Sequence, residues 1–146
     1  MGIGDHPDRP KDTAVNIERN QEFVVNLVPE SLAQAMSDSA TDFPPHISEI
    51  EALGLTTAES KLVKPPRVVG SPAALECRLE RILHIGANRI VFGEVVSVWI
   101  DDRYVLNAER MQLDSSSLKL IGRMGGAGGY TTTNGYFQID RKKYPS

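Results

Sequence analysis

Cysteine is nearly absent: Cys77 is the one cysteine in 146 residues, so no intramolecular disulfide can form, and no Cys/His spacing marks a metal site. That usage fits a reducing compartment, and the cytoplasm is the expected location. Clustered basic charge is missing too. The formal net charge is −3 and the 16 Lys and Arg residues are scattered, leaving no stripe for nucleic acid or an anionic membrane surface. Small molecules or proteins are the expected partners. Nowhere do about 18 apolar residues run together, and the opening MGIGDHPDRPKD has neither the apolar core nor the cleavage site of a signal peptide. His6 stands where a myristoylation signal needs Ser or Thr, and no fixed-period repeat is visible. What is present, 40% apolar and 24% charged residues over 146 positions, suits one ordinary domain with one core and is too short for two.

Residues 1–11 are polar and punctuated by Pro and Gly, as a loop or chain end would be. Asp12 or Thr13 is expected to cap a short helix from Ala14 to Arg19, with Ala14, Val15 and Ile17 as its apolar side and Asn20 as its end. Glu22 to Val28 reads as a strand with Phe23, Val25 and Leu27 on one face. Pro29 suits a first helical turn, and Leu32, Ala33, Ala35 and Met36 make residues 30–38 an amphipathic helix that should pack on the sheet. Pro44 and Pro45 put a loop over residues 37–48. Ser48 then caps a helix through Leu53, stopped by Gly54; Leu55 to Ala58 follow as a brief strand, and Pro65-Pro66 mark a turn.

Residues 73–85 carry the clearest signal. Ala73, Leu75, Cys77, Leu79, Arg81, Leu83 and Ile85 alternate with Ala74, Glu76, Arg78, Glu80, Ile82 and His84, which predicts a long strand with one buried face of the kind that bends around a barrel. Gly86-Ala87-Asn88 is the tight connection to a second long strand over residues 89–100, giving an antiparallel hairpin in which Gly93 permits a bulge. That second strand is apolar on both sides and is expected to be covered on both, by the barrel interior and by a helix or a second subunit. Glu76 with Arg78, and Arg81 with Glu94, read as structural cross-strand ion pairs, His84 as solvated or carboxylate-paired, and Cys77 as a small core hydrophobe. Beyond Asp102 the pattern weakens to short runs at 104–106 and 118–121, a flexible glycine-rich stretch at 124–130 and a last strand at 136–139. No helix pattern follows those glycines, so they are not a nucleotide fingerprint.

Several phrases taken in order carry a resemblance. Asp8-Arg-Pro-Lys-Asp-Thr-Ala-Val-Asn-Ile17 and Glu22-Phe-Val-Val-Asn-Leu27 come first, then Ser71-Pro-Ala-Ala-Leu-Glu-Cys-Arg-Leu79, Ile90-Val-Phe-Gly-Glu-Val-Val96, and Leu120-Ile-Gly-Arg-Met-Gly-Gly126 with Tyr130. Over residues 8–139 the chain resembles flavin reductase-like proteins of the FMN-binding split-barrel class. The resemblance implies a mainly β fold, a β-barrel with peripheral helices. It also implies FMN as cofactor, NAD(P)H as electron donor, a homodimer with flavin sites at the subunit interface, and a partner oxygenase or small acceptor for the reduced flavin. Family members usually carry a segment with initial barrel strands before the Lys-Asp-Thr stretch, whereas ten residues precede Lys11 here. A single split-barrel domain, incomplete at its N-terminus, is therefore expected.

By the same resemblance the cofactor-binding residues are Arg9, Lys11, Asp12, Thr13, Asn16, Phe43, Arg123 and Tyr130. Lys11, Asp12 and Thr13 stand where a loop enters a helix, so free N–H groups, an ammonium and a hydroxyl can meet a phosphate there; a plain cap with a solvated lysine is the other reading, and the two are compatible. Arg9 is placed equally well to assist or to stay in solvent. Phe43 lies in a loop that borders the flavin or is simply surface, His46 is not taken as catalytic, and Arg123 and Tyr130 contact flavin or the second subunit or belong to a glycine-rich tail. No catalytic side chain is expected, because the flavin carries the redox chemistry. The competing class is a non-enzymatic split-barrel dimer that binds a ligand or a protein.

Overall fold

A computed structural model describes residues 1–44, 46–126, 128–135, 137 and 139. Strand β1 (Gly2–Gly4) leads through a loop into helix α1 (Asp12–Asn20) and strand β2 (Glu22–Asn26), followed by two short helices, α2 (Ala33–Asp38) and α3 (Glu49–Ala52). The ribbon of β3 (Thr57–Ala58) and β4 (Arg67–Val68) precedes the dominant hairpin of β5 (Ala73–Ile85) and β6 (Asn88–Ile100). Two further ribbons follow, β7 (Val105–Asn107) with β8 (Gln112–Leu113), and β9 (Ile121–Gly125) with β10 (Gly129–Thr132). The fold is mainly β. Its main sheet has the order β1-β6-β5-β2, antiparallel throughout, and curls into half a barrel with α1 packed against it. Beyond β2, Ile121 N–H donates to Val28 O (3.0 Å) and Glu30 N–H to Lys119 O (2.9 Å), so the β9–β10 ribbon continues the curl.

The core explains why α1 lies where it does. Ala14 and Ile17, three positions apart on one helix face, are buried with Ile3 of β1 and Val91 of β6, and Phe23, Leu79 and Ile82 pack around them. Val15, expected on the same apolar side, is 42% exposed. Arg89 of β6 ties this corner together by pairing with Asp5 in the β1–α1 loop and with Glu18 of α1 at 3.0 Å. The start of α1 is thereby held beside the sheet.

The hairpin at 73–100 forms as the alternation predicts, but its buried face does not run straight through. Glu80 is an extra residue, because Leu79 pairs with Gly93 and Arg81 with Phe92. A bulge of this kind reverses the inward parity of the strand. Leu79 and Ile82 therefore both reach the core, while Leu83 and Ile85, expected inside, are exposed. Gly93 borders this bulge rather than forming it, and its missing side chain makes room for the Phe23 ring. A second irregularity between Glu76 and Cys77 skips Val96.

The expected cover on both sides of β6 is incomplete. Val91 is buried, but Phe92, Val95 and Val98 are exposed. β1 pairs with β6 only at Asn88, Arg89 and Ile90, and among the described residues no strand pairs with residues 92–100 along that edge. The expected ion pairs are also corrected. Glu76 is buried and accepts the backbone N–H groups of Lys61 (2.8 Å) and Leu62 (2.6 Å), which anchors the loop before β4; Arg78 approaches Glu22 at 4.0 Å and Arg81 lies over the Phe92 ring. A carboxylate taken into the sheet needs donors at once, and two loop amides supply them where an exposed arginine does not. Cys77 is buried as expected, which pushes its thiol pKa up. The helix expected over 30–38 opens with a 3-10 turn at Glu30–Leu32, and the described glycines of the glycine-rich stretch include the end of β9 and the start of β10, with Gly125 and Gly126 at φ 92° and 64°. Tyr136 and Gln138 lie outside the described residues, and with them the strand expected at 136–139.

Candidate functional site

The first turn of α1 is built differently from the cap that spacing suggested. Lys11 occupies the N-cap place in extended conformation (φ −68°, ψ 144°) and makes no side-chain cap. Its carbonyl accepts from Ala14 N–H (2.9 Å) and Val15 N–H (3.2 Å). No acceptor among the described residues takes the N–H of Asp12 or Thr13, the first two groups a helix leaves outside its own ladder. Asp12, expected as a possible cap, instead accepts from Arg9 Nη1 at 3.0 Å. Asp12 is the first residue of the helix and Lys11 holds the cap place, so the Asp12 carboxylate is not positioned to cap. Two free N–H groups, the Lys11 ammonium and the Thr13 hydroxyl thus surround the positive end of the helix.

These groups border a small polar cavity of about 180 Å³, closed on its other side by Ser39, Asp42 and Phe43 from the α2–α3 loop. Arg9 spans it. Its Nη2 donates to Asp42 Oδ1 (3.0 Å) and lies 3.5 Å from Phe43 O, while His6 Nε2 stands 3.6 Å from the same Asp42 oxygen. The guanidinium is therefore held by two carboxylates, where the sequence foresees either a contact to phosphate or a place in solvent. Among the described residues no carboxylate lies within salt-bridge distance of Lys11.

Thr13 and Ser39 also line a second, larger groove of about 810 Å³. Its floor is β2 with Phe23, Val25 and Leu27, and its walls are Asn16 and Ile17 of α1 and Ala35 and Met36 of α2. The volume lies in the range of small-molecule sites, and the lining is apolar with a few polar groups, as such sites are. A turn with two N–H groups unpaired among the described residues therefore opens directly beside an apolar slot. The arrangement suits a ligand with a phosphate at one end and a flat apolar body at the other. The match to a flavin nucleotide is good for the helix N–H groups and Lys11, and less so for Arg9, which two carboxylates already hold.

Of the eight residues singled out in the sequence, Arg9, Lys11, Asp12, Thr13 and Phe43 come together around the small cavity. Asn16 lines the larger groove, with its Oδ1 accepting from Arg19 (3.1 Å). Arg123 and Tyr130 meet one another across the β9–β10 hairpin, Nη1 to Oη at 2.9 Å, and neither lines either cavity. His6, Ser39 and Asp42 were missed. Nothing in their spacing marks them, because Arg9 and Asp42 stand 33 positions apart and meet only through the fold. Among the described residues no group of three or more His, Cys, Asp or Glu is placed to hold a metal ion, and no helix is long and apolar enough to cross a membrane.

The family model described as the flavin reductase like domain matches residues 3–112. A protein of Deinococcus radiodurans is 46% identical over 142 residues, which is 97% of this chain and 63% of the relative; the chain spans about three-fifths of the length of such curated relatives. Nitrilotriacetate monooxygenase component B from Bacillus cereus superposes with a TM-score of 0.86 at 29% identity, over 95% of this chain and 70% of that one. The 2-nitrobenzoate 2-nitroreductase of Pseudomonas fluorescens superposes with a TM-score of 0.84 at 30% identity, over 99% and 76%.

Proposed function

The chain belongs to the flavin reductase-like domain family, and on that premise we propose that it binds FMN and serves as an NAD(P)H-dependent flavin reductase-type oxidoreductase. The observation that carries the reading is the junction at Thr13 and Ser39, where the polar turn and the apolar groove share their lining. In this reading the N–H groups of Asp12 and Thr13, the Thr13 hydroxyl and Lys11 hold the phosphate, with Arg9 as a further cation once released. Asn16 borders the ring, Phe43 lies at the phosphate end, and Arg123 and Tyr130 serve a flavin site completed by a second subunit. When bound, FMN would supply the capacity to take a hydride from a nicotinamide and pass electrons on. The chain's own part is to bind, orient and keep water from the ring; no side-chain acid or base is assigned.

The proposal extends to a homodimer, supported by the uncovered Phe92, Val95 and Val98 and the open edge of β6. Val95→Asp with Val98→Asp should turn a dimer into monomer in light scattering; a wild-type chain that is monomeric at every concentration contradicts this part. The Bacillus cereus neighbour is one component of a monooxygenase, and delivery of reduced flavin to a partner oxygenase is proposed for this chain by analogy. The lone thiol, buried at Cys77, fits a cytoplasmic setting. A second reading, a split-barrel dimer that binds a ligand or protein without turnover, is favoured by the engagement of Arg9 with Asp12 and Asp42. Flavin absorbance after purification, then NAD(P)H oxidation with added FMN, separates the two: bound flavin without turnover supports the second, and neither binding nor turnover rejects the first.

A further inference from the structure

We propose that the Asp42 carboxylate is an internal competitor for the anion subsite, holding Arg9 until a ligand phosphate displaces it; the proposal rests on the phosphate reading above and names what regulates that site. Arg9 is the second cation of the small cavity, yet both ends of its guanidinium are taken, Nη1 by Asp12 and Nη2 by Asp42, each at 3.0 Å. Asp42 also faces His6 at 3.6 Å. One of its oxygens thus occupies the Arg9 nitrogen that an incoming phosphate would use. The two carboxylates differ in how readily they can leave. Asp12 belongs to the first turn of α1, where the helix dipole favours a negative charge. Asp42 lies in the loop between α2 and α3 with its side chain 69% exposed, and an exposed ion pair of that kind is weak and easily exchanged for water. Asp42 is the group that moves. While in place it repels a dianion and occupies Arg9 Nη2; once displaced it leaves that end of the guanidinium open to a charge-assisted bond with phosphate, in the cavity that Lys11, Asp12 and Thr13 also line.

The test measures FMN and riboflavin affinities, by flavin fluorescence, for the full chain with and without Asp42→Asn. Removing the charge should raise FMN affinity about two- to tenfold, leave riboflavin unchanged, and have a clearly smaller effect when Arg9→Ala is also present, because only the direct repulsion is then relieved. An unchanged or weaker FMN affinity, or an equal gain for riboflavin, overturns the proposal. If FMN binding is below detection in both forms, inorganic phosphate is titrated while the Asp12 and Thr13 amides are followed by NMR. Larger shifts in the Asp42→Asn protein support the proposal, and equal or absent shifts overturn it. Lys11→Ala with Thr13→Ala distinguishes the two failures: if it leaves the FMN-to-riboflavin ratio unchanged, the phosphate reading itself has failed. If it lowers that ratio while Asp42→Asn is silent, only the competition has.

Discussion

Gly93→Ala sets two effects of opposite sign against each other. In a strand, exchanging Gly for Ala at an ordinary φ should stabilise by about 0.4–1 kcal/mol, through the lower entropy of the unfolded chain. Here the added Cβ would lie 2.4 Å from Phe23 Cζ, 2.9 Å from Cε1 and 3.3 Å from the Arg78 carbonyl oxygen. Ordinary contact begins near 3.4 Å, so the ring tip must withdraw by about 1 Å. It is hemmed in by the Ala14, Ile17 and Val91 cluster and can retreat only toward the large groove. Overpacking of this sort costs about 1–3 kcal/mol, which leaves a net destabilisation of about 0.5–2 kcal/mol after the entropic gain. Urea unfolding followed by the single tryptophan, Trp99, should show a lowered midpoint at an unchanged slope. Phe23→Leu removes both clashing atoms, so Gly93→Ala in that background should be neutral or stabilising, a non-additivity of about 1 kcal/mol or more. Equal effects in the two backgrounds, or a stabilised single variant, would show that the Phe23 ring is not what the added Cβ meets.

Glu76→Ala removes the shared acceptor of the Lys61 and Leu62 amides. It should cost about 1.5–3 kcal/mol and speed hydrogen exchange at those two amides, with Glu76→Gln losing about half as much, because bonds to a charged acceptor are worth more than neutral ones and water replaces part of what is lost; unchanged exchange would reject the anchor. Asp101 accepts hydrogen bonds from the Arg103 side chain and backbone, which hold its carboxyl pKa down at about 2 against an ordinary 3.8. Because the folded value is the lower one, this contact stabilises the protein above about pH 4 and fades as pH falls toward 2. Asp101→Asn should flatten that part of the acid unfolding curve, and an NMR titration midpoint near 3.8 would contradict the assignment.

The hairpin at 73–100 was legible because apolar alternation is a property of the strand itself. The buried pair Ala14 and Ile17 and the Phe23, Val25 and Leu27 face were legible for the same reason. The exchange of faces at Glu80 was not, since a bulge is defined by the register of the partner strand. Glu76 looked like one half of an ion pair because its true partners are main-chain amides, which every residue offers and no sequence pattern marks. In the site, the Lys11-Asp12-Thr13 turn could be read from a loop meeting a helix. The engagement of Arg9 by Asp42, and the meeting of two cavities at Thr13 and Ser39, depend on a chain reversal through α2 that residue spacing does not encode.

If the first turn of α1 receives the phosphate of a flavin nucleotide, FMN and riboflavin, which lacks that phosphate, must bind with different affinities. The wild-type chain should bind FMN more tightly than riboflavin. Lys11→Ala with Thr13→Ala should weaken FMN by about ten- to a hundredfold, the equivalent of about 1.5–3 kcal/mol for a lost charge-assisted contact, and leave riboflavin affinity nearly unchanged. Equal losses for the two ligands, or a wild-type chain that does not distinguish them, would contradict the claim.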